Sequence, residues 1–173
     1  MNDHFLPLEL EAFADNVFKL ISKDWMLITA GPKTHFNTMT ANWGGLGYLW
    51  KRSVCFCFVR PQRYTYQFME SAPAFSLTFF TERYRAALEL CGSRSGRDLD
   101  KAAACGLTPT EITPGITCFA EARLVLECQK IYAQDISPEH FIDPTVAEIY
   151  PAKDYHRMYI GEIQQAWVNR ITR

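Results

Sequence analysis

Apolar residues recur at helical spacing through LELEAFADNVFKLIS (8–22), where Leu10, Phe13, Val17, Leu20 and Ile21 share a face, so a helix is expected there. DWMLITA (24–30) reads as a short buried strand, and GPKTHFN breaks it. The glycines of NWGGLGYLW interrupt any regular element, leaving NTMTANW as a loop. SVCFCFV (53–59) is apolar at every second position and largely between, as an interior strand is. Pro61 ends it, and a helix is expected from about Arg63 to Ser71. AFSLTFF (74–80) is a further strand, followed by a helical ERYRAALELCG, a polar glycine loop GSRSGRD (92–98) and a short helix LDKAAACG.

From 118 to 128 the even positions Cys118, Ala120, Ala122, Leu124, Leu126 and Cys128 are apolar, while Glu121, Arg123 and Glu127 interrupt the odd ones. That alternation predicts one half-buried strand. QKIYAQDI pairs back on it or extends it, SPEHFID is one helical turn, and HRMYIGEIQQAWVN (156–169) supplies the last strands. Strands outnumber helices without strand–helix alternation, which favours a mainly β protein, a barrel with peripheral helices, over a doubly wound parallel sheet. No repeat, linker or composition shift divides residues 1–173, so a single domain is expected.

The 173 residues are 48% hydrophobic and 14% aromatic, which excludes a disordered chain. A net charge of −1 supplies no field for a polyanion, so nucleic acid is disfavoured as partner. No apolar stretch approaches the ~20 residues that span a bilayer, and the N-terminus lacks a basic leader region, so a soluble cytoplasmic protein without a membrane partner is expected. Six cysteines stand at 55, 57, 91, 105, 118 and 128 without a C-x-x-C pair, and are expected to be mostly reduced and buried.

Three segments carry candidate chemistry. NTMTANW offers Asn37, Thr38, Thr40 and Asn42, with Trp43 or Met39 able to lie against a flat heteroaromatic ring; alone, it equally fits a polar turn. VRPQRYT places Arg60, Arg63 and Thr65 around a helix start, a setting that suits a phosphate dianion, although solvated surface arginines read the same way. GSRSGRDLDK is glycine-rich, hydroxyl-bearing and basic, with Lys101 inside the next helix, but lacks Walker spacing and equally fits a solvent loop. There is no G-x-S-x-G, H-E-x-x-H or G-x-G-x-x-G pattern. Asp135, Glu139, His140 and Asp143 could gather at a metal, yet SPEH reads as a capped turn, so no metal is expected. His156 opens a strand and by default is a hydrogen-bonded structural histidine.

Taken together, FNTMTANWGGLGYLW, CFCFVRPQRYTYQFM, SLTFF, CGSRSGRDLDK, GLTP and HRMYIGEI resemble the flavin reductase-like family of FMN-binding split barrels, especially its flavoredoxin-like branch, over about residues 20–167. The resemblance implies a six-stranded antiparallel Greek-key split β-barrel that forms a homodimer, with FMN near the subunit interface. It implies that Asn37, Thr38, Met39, Thr40 and Ala41 meet the isoalloxazine edge with Trp43 close by. Arg60, Arg63 and Thr65 would hold the phosphate, with Ser93, Ser95 and Lys101 completing its site. His156 resembles a histidine near flavin or nicotinamide in related reductases. The implied activity is hydride transfer from NADH or NADPH to flavin, which requires no protein acid, base or nucleophile. The alternative is a flavoredoxin-type carrier that keeps FMN and passes electrons to a protein partner, whereas a reductase would release reduced flavin to a monooxygenase.

Overall fold

The computed structural model describes residues 4–171. The chain forms β1 (Phe5–Pro7), a helical segment α1 (Val17–Lys19) that widens into a π turn at Leu20–Asp24, β2 (Met26–Ala30), β3 (Asn37–Ala41), β4 (Gly44–Leu49) and β5 (Arg52–Val59). Then come α2 (Tyr64–Ser71), β6 (Ala74–Phe79), α3 (Arg85–Ser93), α4 (Lys101–Cys105), β7 (Pro109–Glu111), β8 (Thr117–Phe119), β9 (Leu124–Asp135) and β10 (Arg157–Asn169). None of the described helices is long and apolar enough to cross a membrane.

The fold is mainly β and antiparallel, as expected, but its sheet has eight strands rather than six, in the order β3-β2-β6-β9-β10-β5-β4 with β1 beside β10. β7 and β8 form a separate ribbon. Only Asn42 and Trp43 connect β3 to β4, which stand at opposite ends of that order. Two residues bridge such a gap only if the sheet curls until its ends nearly meet, and one core accordingly takes side chains from both ends: Met39 and Ala41 of β3 pack with Cys55, Cys57 and Val59 of β5. A second apolar cluster lies outside the sheet, where Leu27 and Val125 meet Leu88 and Cys91 of α3, Ala102 of α4 and Phe119 of β8.

Several sequence expectations need correction. Residues 8–22 are not one helix: a 3-10 turn at Leu10–Ala12 stops, and Asn16 starts α1 by accepting the Lys19 N–H (3.1 Å). Asn at that position caps a new helix better than it continues an old one. NTMTANW is no loop, because Asn37–Ala41 is strand β3 and the glycines open strand β4. Glycine is tolerated in β4 because the Phe56 ring on neighbouring β5 covers it; Cβ atoms on Gly45 and Gly47 would each sit 3.6 Å from that ring. A Cβ on Gly44 would come within 2.6 Å of the Phe56 carbonyl, so that close approach requires glycine.

The alternation at 118–128 belongs to two elements, β8 and β9, separated by a turn at Ala120–Arg123. Leu124–Cys128 is buried on both faces: Leu124, Leu126 and Cys128 face the inner core, Val125 the outer one. Glu127 is buried there too, its carboxylate accepting from the Thr113 N–H (3.1 Å) and hydroxyl (2.6 Å) and from Trp167 Nε1 (3.0 Å). The last strands are one strand, β10, with register shifts near Gly161 and Gln165; it pairs with β9 along nearly all its length and with β5 and then β1 along the other edge.

Candidate functional site

The site lies where the curled sheet meets α2 and the α3–α4 connection, in a cleft of about 450 Å³, within the ~300–1,000 Å³ usual for small-molecule sites. β3 supplies Met39, Thr40 and Ala41; Asn42 and Trp43 follow at the turn, and Phe58 and His156 continue this wall. The rest of the lining comes from the turn Arg60–Arg63 with Tyr64 and Thr65 of α2, and from Ser93, Arg94, Ser95, Arg97 and Lys101.

The two basic segments picked out in the sequence converge directly. Arg63 Nη1 donates to the Gly92 carbonyl (2.6 Å), and Arg97 Nη1 to the Gln62 carbonyl (3.4 Å) while its guanidinium lies 4.8 Å from the Tyr64 ring centre. Arg63 precedes α2 without a side-chain cap on the helix, and the first helical residues, Tyr64 and Thr65, line the cleft. Five cationic side chains, Arg60, Arg63, Arg94, Arg97 and Lys101, line the cleft and no Asp or Glu does. Among the described residues only Arg60 of these five has an ion pair, to Asp154 Oδ2 (2.7 Å).

Lys101 is buried, with Nζ donating to the carbonyls of Thr38 (2.8 Å) and Cys91 (2.9 Å). Its pKa is lowered, first by burial and further by Arg63, although the nearby Cys91 acts the other way. His156, 9% exposed, has Nδ1 2.9 Å from the Tyr150 hydroxyl, and its ring centre is 5.0 Å from that of Trp43. Burial, then Arg60, brings the His156 pKa down to about 4, with Asp154 opposing. The imidazole is therefore neutral at pH 7. In both groups burial is the main cause of the lowered pKa, and a neighbouring arginine adds to it.

Of the sequence candidates, Met39, Thr40, Ala41, Asn42, Trp43, Arg60, Arg63, Thr65, Ser93, Ser95, Lys101 and His156 line this one cleft. Asn37 and Thr38 do not; they border an adjoining recess of about 290 Å³ with Gly96 and Leu99. Asn37 Nδ2 donates to Thr65 Oγ1 (2.7 Å), so it positions α2, and the Thr38 and Thr29 hydroxyls lie 2.9 Å apart. Thr40 also spends its hydroxyl on the protein, donating to the Leu88 carbonyl. Ser93 donates to the Glu89 carbonyl (2.8 Å), and Ser95 Oγ accepts from the Arg97 N–H (3.2 Å). Sequence reading missed Phe58, Gln62, Tyr64, Arg94 and Arg97, although the last two stand in the loop singled out for its serines. Asp135 and Asp143 of the considered metal cluster have other work: Asp135 Oδ1 accepts from Arg157 Nε (2.6 Å) and Asp143 caps a 3-10 turn through the Thr145 N–H (2.9 Å).

The model for the flavin reductase-like domain matches residues 18–172. The chain belongs to this family. No match was found among curated protein sequences. Solved structures share the family fold. An FMN-binding domain of a flavin reductase-like enzyme from Shewanella baltica is 20% identical with a TM-score of 0.69, covering 95% of this chain and 77% of that one. Flavoredoxin of Desulfovibrio vulgaris is 21% identical with a TM-score of 0.66, over 96% of this chain and 78% of its own. A Streptomyces globisporus NADH:FAD oxidoreductase, in complex with NAD and FAD fragments, is 17% identical with a TM-score of 0.61, over 83% and 73%. The flavin reductase-like fold therefore accounts for the curled sheet.

Proposed function

We propose that the protein binds FMN in this cleft and transfers hydride from NADH or NADPH to flavin. The observation that carries this reading is the cleft's lining: five cations and no carboxylate, together with Met39, Ala41, Trp43, Phe58 and neutral His156. That lining matches a ligand with a dianionic tail and a flat, neutral, hydrogen-bonding ring system. Arg63, Arg94, Arg97 and Lys101, with the open N–H groups of α2, would hold the phosphate; each charge-assisted contact contributes about 1.5–3 kcal/mol.

When bound, FMN supplies a ring nitrogen that accepts hydride and passes electrons on, chemistry that needs no triad from the protein. This chain's residues bind and orient. β3 and Trp43 would border the ring, with the His156 and Tyr150 rings packed in series behind Trp43. Neutral His156 adds a hydrogen-bonding edge there without adding charge.

The test is to purify the protein, record its visible spectrum and add NADH and NADPH anaerobically. A flavin spectrum that bleaches with either nucleotide, and turnover when free flavin is added, is the expected result. A flavin that stays through gel filtration and bleaches only with a reduced protein partner would make the protein a flavoredoxin-type carrier instead. Colourless protein that leaves FMN fluorescence unquenched would remove both readings. We further assign a homodimer, supported by the exposed rings of Tyr48 and Trp50 on the β4–β5 hairpin and of Tyr132, which lies 5.9 Å from Trp50. Sedimentation at micromolar concentration would show a monomer if that is wrong.

A further inference from the structure

Helices α3 and α4 bring two thiols together beside the anion end of the cleft. The sulfurs of Cys91 on α3 and Cys105, the last residue of α4, lie 3.8 Å apart. A disulfide needs roughly 2.0 Å, so the sulfurs must approach by a little under 2 Å or so. Cys91 is buried and Cys105 is partly exposed, which gives an outside reagent one point of entry. The surrounding bonds lead directly into the cleft. Lys101, the first residue of α4, donates to the Cys91 carbonyl (2.9 Å), and Arg63 to the carbonyl of Gly92 next to it (2.6 Å). The end of α3 is also tight against the ring wall, since a Cβ on Gly92 would lie 3.3 Å from Thr40 Cβ. A change in how α4 sits against α3 would therefore act on Lys101 and Arg63.

The second close thiol pair makes a contrast. The sulfurs of Cys55 and Cys128 are 3.5 Å apart, but these residues sit on β5 and β9 with β10 between them. Two strand spacings put their backbones about 9–10 Å apart, beyond the roughly 7 Å a disulfide spans. They touch only because Gly161 of β10 lacks a side chain; a Cβ there would lie 2.9 Å from that of Cys128. Both are wholly buried.

We propose that Cys91 and Cys105 form a reversible disulfide when exposed to a hydroperoxide, and that this bond weakens anion binding in the cleft. The inference requires the cleft cations but not the flavin reading. The Cys105 thiolate attacks a peroxide oxygen, breaking the O–O bond; the released hydroxide takes a proton and leaves as water. The Cys91 sulfur then attacks the sulfenic sulfur of Cys105, forming S–S, breaking S–O and releasing a second water that carries the Cys91 proton. In sum, two thiols and one hydrogen peroxide become a disulfide and two waters. Burial raises both thiol pKa values, that of Cys91 to about 12, so the oxidation is slow at neutral pH, and it starts at Cys105 because that thiol is the partly exposed one.

The experiment treats the reduced full chain with hydrogen peroxide and follows intact mass, peptide linkage and binding of inorganic phosphate by calorimetry. The expected result is loss of two hydrogens, a link between the Cys91 and Cys105 peptides that dithiothreitol reverses, and phosphate affinity lower by about fivefold or more, the low end of ordinary coupling between sites. Cys105→Ser should abolish the link and make phosphate binding indifferent to peroxide; Cys91→Ala gives the same test from the buried side. Oxygen addition at Cys105 without a link, or a link through Cys55 or Cys128, would overturn the proposal. A disulfide that leaves phosphate affinity unchanged, or reduced protein that binds no phosphate, would overturn its coupling to the cleft. Absence of flavin binding would sink the functional reading while the mass result still judges the disulfide.

Discussion

The ammonium of Lys101 lies 2.8 Å from the carbonyl oxygen of Thr38, joining the first residue of α4 to strand β3 across 63 positions of sequence. It also holds the Cys91 carbonyl at the end of α3, so one side chain ties together three of the elements that bound the cleft. Its two partners are neutral dipoles, which keeps the positive charge available to an anion.

Lys101→Met is therefore expected to act twice. Two buried carbonyls lose their donor, an effect that outweighs relief of the buried ammonium and costs about 1–2 kcal/mol of stability. Urea unfolding should show a lower midpoint at unchanged slope, and calorimetry a weaker response to phosphate.

Arg63 and Arg60 should behave differently although both stand in the same turn. Arg63 has no carboxylate partner among the described residues, so Arg63→Ala should weaken FMN by about tenfold or more, at about 1.5–3 kcal/mol per charged contact, and leave riboflavin nearly unchanged. Arg60 donates to Asp154 (2.7 Å) and lies 5.2 Å from the centre of the Tyr150 ring. Arg60→Ala should release the 144–155 segment and lower FMN and riboflavin affinity alike. Fluorescence quenching with the two ligands separates these outcomes.

His156 makes stability depend on pH in a defined window. Its pKa falls from the ordinary 6.5 to about 4 on folding, so between those values the unfolded chain binds the extra proton. Unfolding free energy then rises with pH across the window, and stability is lost as pH falls from about 6.5 toward 4, by at most about 3 kcal/mol. Chemical denaturation at several pH values should show that slope, and His156→Gln should flatten it.

Gly161→Ala should be among the most damaging single changes. The new Cβ would meet the Phe75 ring at 2.7 Å and Cys128 Cβ at 2.9 Å, and both neighbours are buried. Overpacking of this kind costs about 1–3 kcal/mol; a midpoint in urea within error of the parent protein would show that β10 can shift to make room.

What could be read from the sequence follows from the range of the forces involved. α2 was legible because Pro61 follows the end of β5 and the helix starts three residues later, all within one local segment. β4 was not, because of the three glycines in GGLG two lie under the Phe56 ring and one against its carbonyl, contacts that belong to the folded sheet. The run at 118–128 misled because two adjacent elements happened to continue the same alternation through a turn. In the site, residue chemistry was visible but side-chain duty was not: Asn37 and Thr40 look equally free to meet a ligand, yet Asn37 bonds Thr65 and Thr40 bonds Leu88.

By itself, then, the sequence determined a mainly β chain with two basic turns and one neutral polar segment as its chemical stock, because hydrophobic period and turn residues act over a few positions; the flavin reductase-like family entered through the resemblance of its motifs. The tertiary structure alone decided that these parts form one cleft. Arg63 meets Gly92 across 29 residues and Arg97 meets Gln62 across 35. Such contacts arise when the sheet curls to bring β3 and β4 together, and that closure is set by packing around the whole core rather than by any local run of residues.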